Sequence, residues 1–258
     1  SSKNCQKTFE DLKDGRERIE KICRELLKNE IIVALGCTEP GTIAYAAACA
    51  KEILGAIPNH MEIYVSGNIL KNVKSVVIPN TQNLKGIAEA AFCGIVGGNP
   101  KRKLEVLNTL TMADVEMVRK LVAEENMYDV HLSRVQEPLY VRVELIRGEH
   151  TSLVEIQKNH LNITKVQKDG KDITRQYQYR ECVGEVNGSE YKLKLKDIYN
   201  FAYETEIGDL ENLMKLQITH NGRIAEEGMK NDYGAKVGKN YLKLHEKEKT
   251  AVLAAYAA

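Results

Sequence analysis

Apolar residues along the chain predict an alternation of helical and strand-like segments. They recur every three to four positions in residues 5–30 and again in 103–126, with charged residues between them, which predicts two amphipathic helices. Residues 40–54 and 84–98 are mostly small or aliphatic instead, which predicts helices packed by neighbours on every side. Gly55 is expected to end the first of these two helices.

Other segments show a period of two or a mixed pattern. Residues 61–80 (MEIYVSGNILKNVKSVVIPN) predict a strand, a polar turn and a second strand. Between Tyr128 and about Leu195, the runs VHLSRV, LYVRVELI, SLVEIQ and NITKVQ predict an antiparallel sheet of four to six strands. From Lys196 onward the pattern is helical, with predicted breaks at Gly208, Gly228, Gly234 and Gly238.

These segments predict an α/β (α+β) fold, with a helical small-residue core layer, a short β unit and an antiparallel-sheet lobe. Three segments are expected: an N-terminal core at 1–105, the sheet lobe at 106–200, and a helical return to the core at 201–258. The last residues, KTAVLAAYAA, form an Ala-rich pattern without a glycine stop, which favours a truncated chain. A frayed C-terminal helix is the alternative.

Composition narrows the class of protein. The 258 residues include 37 Lys and Arg against 36 Asp and Glu, and this balance argues against a nucleic-acid or membrane-surface partner. Because the chain has neither a bilayer-length apolar run nor a signal-peptide pattern at its start, we expect a soluble, cytoplasmic protein. The expected partner is a small amino-acid substrate, and homo-oligomerisation is left open.

The six cysteines are scattered, without a CxxC pair or zinc-ligand spacing, which predicts reduced and mostly buried thiols. Cys37 is the exception, because it follows a glycine and directly precedes a predicted helix. Thr38 or Glu39 lies where an N-cap belongs, and Pro40 suits the first helical position. A helix N-terminus lowers a thiol pKa, so Cys37 is a candidate nucleophile or metal ligand. A structural cysteine beside a helix cap is the alternative.

The residues around Cys37 also carry a family resemblance. ALGCTEPGTIAYAAA, at 34–48, resembles the signature of iron–sulfur L-serine dehydratase α-type chains, in the branch that contains L-cysteine desulfidase. The segments VSGNILKN, VVIPNT, AAFCGIVGGNPKRKLEVL and HNGRIAEEGMKNDYGAKVG are similar to later parts of that family. The resemblance therefore runs from about residue 18 to residue 258.

This resemblance implies a [4Fe–4S] cluster held by three cysteines, with one iron open to substrate, and Cys37 as the first ligand. The other two ligands belong to a downstream region that this sequence lacks, so the chain alone is expected to hold no iron. The implied reaction is β-elimination, giving pyruvate and ammonia, and also hydrogen sulfide from cysteine. The segment IPNTQN departs from the family's glycine-rich loop, because Asn80 and Gln82 are bulkier.

Polar residues near Cys37 and in the predicted turn are the other candidates. With the resemblance, Glu39 is a catalytic base or orients the substrate amine, and Lys71 is the partner of the substrate carboxylate by its charge. The expected substrate-binding residues are Thr38, Ser66, Gly67, Asn68, Asn72 and Thr81. A helix cap for Glu39, and an ordinary polar turn for residues 66–72, are the alternatives.

The histidines are weaker candidates. His131, His150, His160 and His220 are each predicted to be structural or exposed to solvent. His220 is the best placed of them, since it lies in a segment similar to the family.

The sequence therefore predicts the N-terminal part of an iron–sulfur-dependent amino-acid lyase acting on L-cysteine or L-serine, without deciding between them. The alternative is a non-catalytic small-molecule-binding or regulatory module, or one subunit of a split enzyme, without its own cluster.

Overall fold

The protein has a mixed α/β fold, as the sequence predicts. The computed structural model describes residues 15–181, 193–233, 235–245 and 250–257. The chain divides into two compact units, one of residues 33–185 and one of residues 1–32 with 186–258. The α-helices of the first unit are α2 (Thr38–Leu54), α3 (Gly67–Val73), α4 (Ile87–Gly97), α5 (Met112–Ala123) and α6 (Thr174–Glu181). Those of the second are α1 (Gly15–Glu30), α7 (Leu195–Glu204), α8 (Glu211–Lys230), α9 (Val237–Leu244) and α10 (Ala251–Ala257).

A six-stranded sheet organises the first unit. Its strands are β1 (His60–Val65), β2 (Tyr128–Leu132), β3 (Tyr140–Arg147), β4 (His150–Gln157), β5 (Ile163–Lys168) and β6 (Lys171–Asp172). They lie in the order β2-β1-β3-β4-β5-β6. The last four strands form antiparallel pairs as predicted, whereas β2 runs parallel to β1 at the edge of the sheet. The sheet is therefore mixed.

The predicted strand–turn–strand at 61–80 is half correct. Its first strand is β1, but the residues that follow form helix α3 instead of a turn and a second strand. Ser66 is the N-cap, and its hydroxyl accepts a hydrogen bond from the Ile69 amide. Ile69 and Val73, four residues apart, are both buried, so one face of this short helix packs into the core. Tertiary packing thus stabilises a helix in a segment whose Ser, Gly and Asn residues favoured a turn.

Helices α2 and α4 form the core layer against the sheet. Every residue from Pro40 to Ala50 is buried, which confirms the prediction of a helix enclosed on all sides. Gly55 ends α2 in the left-handed conformation, with its amide donating to Lys51 O. A Cβ on Gly94 of α4 would lie 2.1 Å from the carbonyl oxygen of Ala44. The two helices are therefore in contact backbone to backbone, which requires glycine at this position.

Helices with exposed surfaces make up the second unit. In α7, α8 and α9 no residue is buried, and α8 continues through Gly228 as α9 does through Gly238, so neither glycine breaks a helix. A predicted break near Gly208 is confirmed, since a short 3₁₀ helix at Gly208–Leu210 precedes α8. Gly234 lies outside the described residues. None of the described helices is long and apolar enough to cross a membrane.

The two units group the residues differently from the three predicted segments, which stay predictions. Residue 105 lies inside the first unit, because β1 pairs with β2 and β3 across it. Segment 201–258 belongs to the unit that also contains α1, not to the unit of the α2 core. Strand pairing between distant residues, which periodicity does not reveal, places these boundaries.

Candidate active site

Cys37 is held at the N-terminus of α2 by a tight approach of two loops. It is the N-cap residue, with extended backbone and no capping hydrogen bond from its side chain. Gly36 before it has φ of 74°, and a Cβ at this position would lie 3.0 Å from Cγ of Pro79. The Leu35 amide also donates to Leu104 O. Glycine therefore lets the backbone turn beside the 78–84 loop and present a half-buried Cys37 thiol.

The Glu39 carboxylate is the centre of the cluster. The Cys37 thiol donates to its Oε2 at 2.8 Å, and the Thr38 hydroxyl donates to the same oxygen at 3.3 Å. The Asn72 side-chain amide donates to Oε1 at 2.9 Å. Asn72 lies on α3, so Glu39 joins the first turn of α2 to a second helix. The predicted grouping of Cys37, Thr38, Glu39 and Asn72 is therefore present.

A histidine remote in sequence completes the cluster. The Thr42 hydroxyl donates to Thr38 O at 2.9 Å and lies 2.7 Å from Nδ1 of His160. Because its one proton is used on the carbonyl, the hydroxyl accepts from Nδ1–H, which leaves Nε2 as the acceptor of a neutral ring. His160 and Glu39 also interact electrostatically. His160 thus belongs to the same site as Glu39.

The environment moves the pKa values of these groups apart. Burial, followed by the side-chain hydrogen bond to Glu39, raises the pKa of the Cys37 thiol and outweighs the Glu39 and Thr38 backbone amides of the helix N-terminus, which lower it. The net shift is therefore opposite to the predicted one. Burial opposes ionisation of Glu39, but hydrogen bonds from Cys37 and Asn72 outweigh it and lower the pKa of this carboxyl. Burial lowers the pKa of His160. At neutral pH the cluster therefore holds a thiol, a carboxylate and a neutral imidazole.

The other predicted residues of α3 lie in different surroundings. Ser66 is buried and caps the helix, and its hydroxyl donates to Pro138 O at 2.6 Å. Gly67, Asn68 and Lys71 are exposed. Lys71 precedes Asn72, and neighbouring positions on a helix point in different directions, so Lys71 does not share the Asn72 contact with Glu39. Ser66 is thus structural here, while Lys71 is an exposed residue next to Asn72 in the chain.

Thr81 is fully buried in the loop that contacts Gly36. Its hydroxyl donates to Ile78 O at 2.5 Å and accepts from the Leu84 amide at 3.2 Å. Asn80 and Gln82 on either side have φ of 61° and 51°, a conformation for which glycine is favoured, and Asn80 Nδ2 donates to Leu107 O. Asn80 and Gln82 thus adopt the backbone conformation that glycine would adopt. The two hydrogen bonds of Thr81 join the two ends of the loop.

The described cysteines do not provide a cluster site around Cys37. Cys49 lies on the same helix twelve residues further on, about 18 Å along its axis, and both Cys49 and Cys93 are fully buried. Cys23 belongs to the other unit. Cys5 and Cys182 lie outside the described residues. Since the described residues of the first unit offer one thiol here and a [4Fe–4S] cluster needs more ligands, the residues of that unit do not fit that group.

Two further residues of the site, Thr42 and His160, lie outside the predicted set. Thr42 is a buried polar residue on an almost entirely aliphatic helix, four positions after Thr38 and therefore on its face. That pattern was available in the sequence. His160 lies 118 residues from Thr42 in a turn after β4, and no local pattern connects the two.

Comparison with known proteins identifies relatives named UPF0597 protein. The one from Lachnoclostridium phytofermentans is 39% identical over 222 residues, covering 86% of this chain and 52% of the relative. Those from Fusobacterium nucleatum and Finegoldia magna are 38% and 40% identical, covering 87% and 83% of this chain and 52% and 51% of the relatives. No family model and no solved structure matches the chain.

These relatives overturn the resemblance drawn from the sequence. They are named UPF0597 proteins, and not iron–sulfur serine dehydratases or cysteine desulfidases, so the assignment of the chain to that family is wrong. The chain spans about half the length of the curated UPF0597 proteins that it matches.

Proposed function

We propose that the cluster of Cys37, Glu39, Asn72, Thr42 and His160 is the acid–base centre of a lyase. The reaction class is β-elimination from a small β-substituted amino acid, with L-cysteine and L-serine as the candidate substrates. The observation that carries this proposal is the 2.8 Å contact between a thiol whose pKa is raised and a carboxylate whose pKa is lowered. Adjacent groups with pKa values pushed apart are typical of acid–base sites.

β-Elimination requires a base and an acid on one small substrate. The Glu39 carboxylate takes the α-proton, and the Cys37 thiol protonates the departing hydroxide or hydrosulfide, which leaves Glu39 protonated and Cys37 as a thiolate. The electron pair of the broken Cα–H bond becomes the Cα–Cβ double bond of an enamine. Tautomerisation to an imine and hydrolysis then give pyruvate and ammonia. A proton passed from Glu39 back to Cys37 restores the resting pair.

The neighbouring residues have supporting roles in this scheme. The Asn72 amide holds Oε1 of Glu39 and so aims Oε2 at the thiol. Thr42 holds the His160 ring through Nδ1, leaving Nε2 to accept a hydrogen bond from the substrate ammonium or from water. Exposed Lys71 is the proposed partner of the substrate carboxylate, because of its charge and its place on α3.

No step is assigned to an iron–sulfur cluster. Such a group would supply a Lewis acid for the leaving group, but the described residues contribute Cys37 alone as a thiolate ligand near Glu39. The proposed activity is that of the complete natural protein, since the chain spans about half of its relatives.

The test is an assay of the complete protein under anaerobic conditions with L-cysteine and with L-serine, measuring pyruvate and, for cysteine, sulfide. Glu39→Gln and Cys37→Ser are expected to lower kcat by about 10²–10⁴-fold, the usual contribution of a general acid or base. Glu52→Gln, an exposed substitution near the other end of α2, is the matched control and should leave kcat unchanged. Equal turnover by Glu39→Gln and the wild type would contradict the proposal.

The pH dependence gives a second readout. Because the pKa of Glu39 is lowered and that of Cys37 is raised, kcat should stay constant over a wide range, falling in acid as Glu39 is protonated and in base as Cys37 ionises. Glu39→Gln should remove the acidic limb, whereas Glu52→Gln should retain it.

A second function is favoured by one observation: both Glu39 oxygens already accept hydrogen bonds within the chain. Such a satisfied carboxylate is also typical of a structural or ligand-binding cluster. A non-catalytic small-molecule-binding module, or one subunit of a split enzyme, is therefore the alternative. Saturable binding of either amino acid by calorimetry, with no pyruvate formed, would support the binding module. Turnover that appears only after a second polypeptide is added would support the split enzyme.

A further inference from the structure

Three metal-ligating side chains converge at the edge of the sheet, in a place unrelated to Glu39. His60 and Glu62 lie on β1, and Asp129 lies on β2 directly opposite Glu62. Nε2 of His60 is 3.0 Å from Oε1 of Glu62 and 3.5 Å from Oδ2 of Asp129. Positions 60 and 62 share a face of β1, and the parallel register places Asp129 on that face. Strand pairing thus assembles one nitrogen and two oxygen ligands.

The outer atoms of these side chains are held by other groups. Nδ1 of His60 lies 2.7 Å from the carbonyl oxygen of Asn126. Since a carbonyl only accepts, Nδ1 carries a proton, and Nε2 is the ring atom that faces the carboxylates, within hydrogen-bond distance of Oε1 of Glu62. Oε2 of Glu62 accepts a 2.5 Å hydrogen bond from His131, whose ring stacks on Tyr64. Such a second layer of hydrogen bonds is typical of metal ligands.

The three ligand atoms of this group share one need for positive charge. Either a proton on Nε2, donated to Oε1 of Glu62, or a metal ion in its place can supply that charge between the two carboxylates. Neighbouring ligands around tetrahedral Zn²⁺ lie about 3.3–3.6 Å apart for bonds of about 2.0–2.2 Å. The 3.5 Å separation of Nε2 from Asp129 has this spacing, and the 3.0 Å separation from Glu62 reaches it when the side chain moves by a few tenths of an ångström. The donor set therefore matches a borderline divalent cation in chemistry and comes close to it in spacing.

We propose that His60, Glu62 and Asp129 bind a divalent first-row transition metal ion, with Zn²⁺ as the representative. Three protein ligands leave a fourth position for water, and the Asp129 side chain is 62% exposed, so the ion faces solvent. The ion joins edge strand β2 to β1. This site does not depend on the proposed lyase activity, because its residues are separate from the Cys37 cluster.

The experiment is a Zn²⁺ titration by calorimetry of the chelator-treated protein carrying Cys37→Ser, which removes the accessible thiol of the other cluster. We expect one Zn²⁺ per chain. Adding His60→Ala should weaken binding by at least about 100-fold, since altering even a group that supports a ligand costs 10–100-fold. Asp129→Asn should also weaken it. Because Asp129 is exposed, this variant keeps the test valid if His60→Ala fails to fold.

His150→Ala supplies the matched control. His150 lies 3.4 Å from Asp169 in another exposed histidine–carboxylate pair, but it belongs to no three-ligand group among the described residues. Zn²⁺ affinity should be unchanged in this variant. Replacing Zn²⁺ by Co²⁺ supplies a spectroscopic readout, for which nitrogen and oxygen ligands predict d–d absorption without a thiolate charge-transfer band.

Each outcome of the titration either supports the metal site or overturns it. One Zn²⁺ lost with His60→Ala and Asp129→Asn, but retained with His150→Ala, supports the site. No Zn²⁺ binding overturns the proposal and means that a proton on His60 balances the carboxylates. Binding that survives both ligand substitutions, or that shows a thiolate band, also overturns it and places the metal elsewhere in the chain.

Discussion

Helices α2 and α8 are of similar length and have opposite surroundings. Of the 17 residues of α2, the eleven from Pro40 to Ala50 are buried, whereas none of the 20 residues of α8 is buried. Ile43 in α2 has no exposed surface, and Ile218 in α8 is 70% exposed. The same periodic element is thus a core component in one unit and a surface element in the other.

The difference shows which of the two helices can hold reactive side chains in a defined position. Because neighbours enclose α2, its first turn presents Glu39 to fixed partners on α3 and on α2 itself. In α8, the polar residues instead pair within the helix, as Lys215 does with Glu211. The shifted pKa values of Cys37 and Glu39 therefore occur at the start of a tightly packed helix. The exposed surface of α8 does not hold its side chains in place in the same way.

The strongest test of this contrast is the same substitution in both units. Gly94→Ala would place a Cβ against the Ala44 carbonyl, so the free energy of unfolding should fall by about 3–5 kcal/mol, as for severe overpacking. Gly222→Ala in α8 meets no atom within 4 Å and should raise it by about 0.5–1 kcal/mol through helix propensity. Urea unfolding measures both. Equal effects would show that the α2–α4 contact is loose.

Truncation of an isoleucine in each helix should show a smaller difference. Ile43→Ala leaves a cavity in the core and should cost about 2–5 kcal/mol. Ile218→Ala removes an exposed side chain and should change stability by no more than about 0.5 kcal/mol. Thermal or chemical denaturation checks the pair. A large loss with Ile218→Ala would mean that α8 is covered in the native protein.

Replacement of a buried and of an exposed threonine extends the comparison to hydrogen-bonded side chains. Thr81→Val removes the acceptor of the half-buried Leu84 amide, and leaving that donor unpaired should cost about 1 kcal/mol, the lower end of the range for buried donors. Thr219→Val on exposed α8 is the control and should stay within about 0.5 kcal/mol. If Thr81→Val keeps full stability but weakens amino-acid binding, Thr81 is a substrate contact, as the sequence predicted, and not a structural one.

The smallest expected effect concerns the reactivity of Cys37. Because the Glu39 carboxylate helps to raise the thiol pKa, Glu39→Gln should lower that pKa and speed alkylation of Cys37 by iodoacetamide at pH 8. Glu52→Gln should leave the rate unchanged. The raised pKa also means that the proton on Cys37 stabilises the fold at neutral pH, and that this contribution is lost as the pH rises above the ordinary thiol range. Slower alkylation in Glu39→Gln would contradict the geometry.

Local signals predicted much of the fold. The small-residue composition of 40–54 indicated an enclosed helix, and Gly55 ends it as expected, because helix composition and left-handed glycine are local properties. The same reasoning failed at 66–73. There Ser, Gly and Asn favoured a turn, while burial of Ile69 and Val73 stabilises a helix.

The site residues also divide into those that a local motif predicted and those that only the tertiary structure brought together. Cys37, Thr38 and Glu39 are adjacent in sequence, so a local motif was enough to select them. The link to Asn72 joins two helices, and the link to His160 spans 118 residues from Thr42. Likewise, the group of His60, Glu62 and Asp129 exists only because β2 pairs in parallel with β1.

The sequence by itself determined the helical and strand periodicities, the enclosed character of α2 and the presence of a thiol and a carboxylate at its start. Only the tertiary structure decided that β2 runs parallel to β1, that His160 meets Thr42, and that burial and the Glu39 hydrogen bond raise the Cys37 pKa. The reason is physical: periodicity and capping act over a few residues, whereas desolvation and strand register depend on groups brought together from distant parts of the chain.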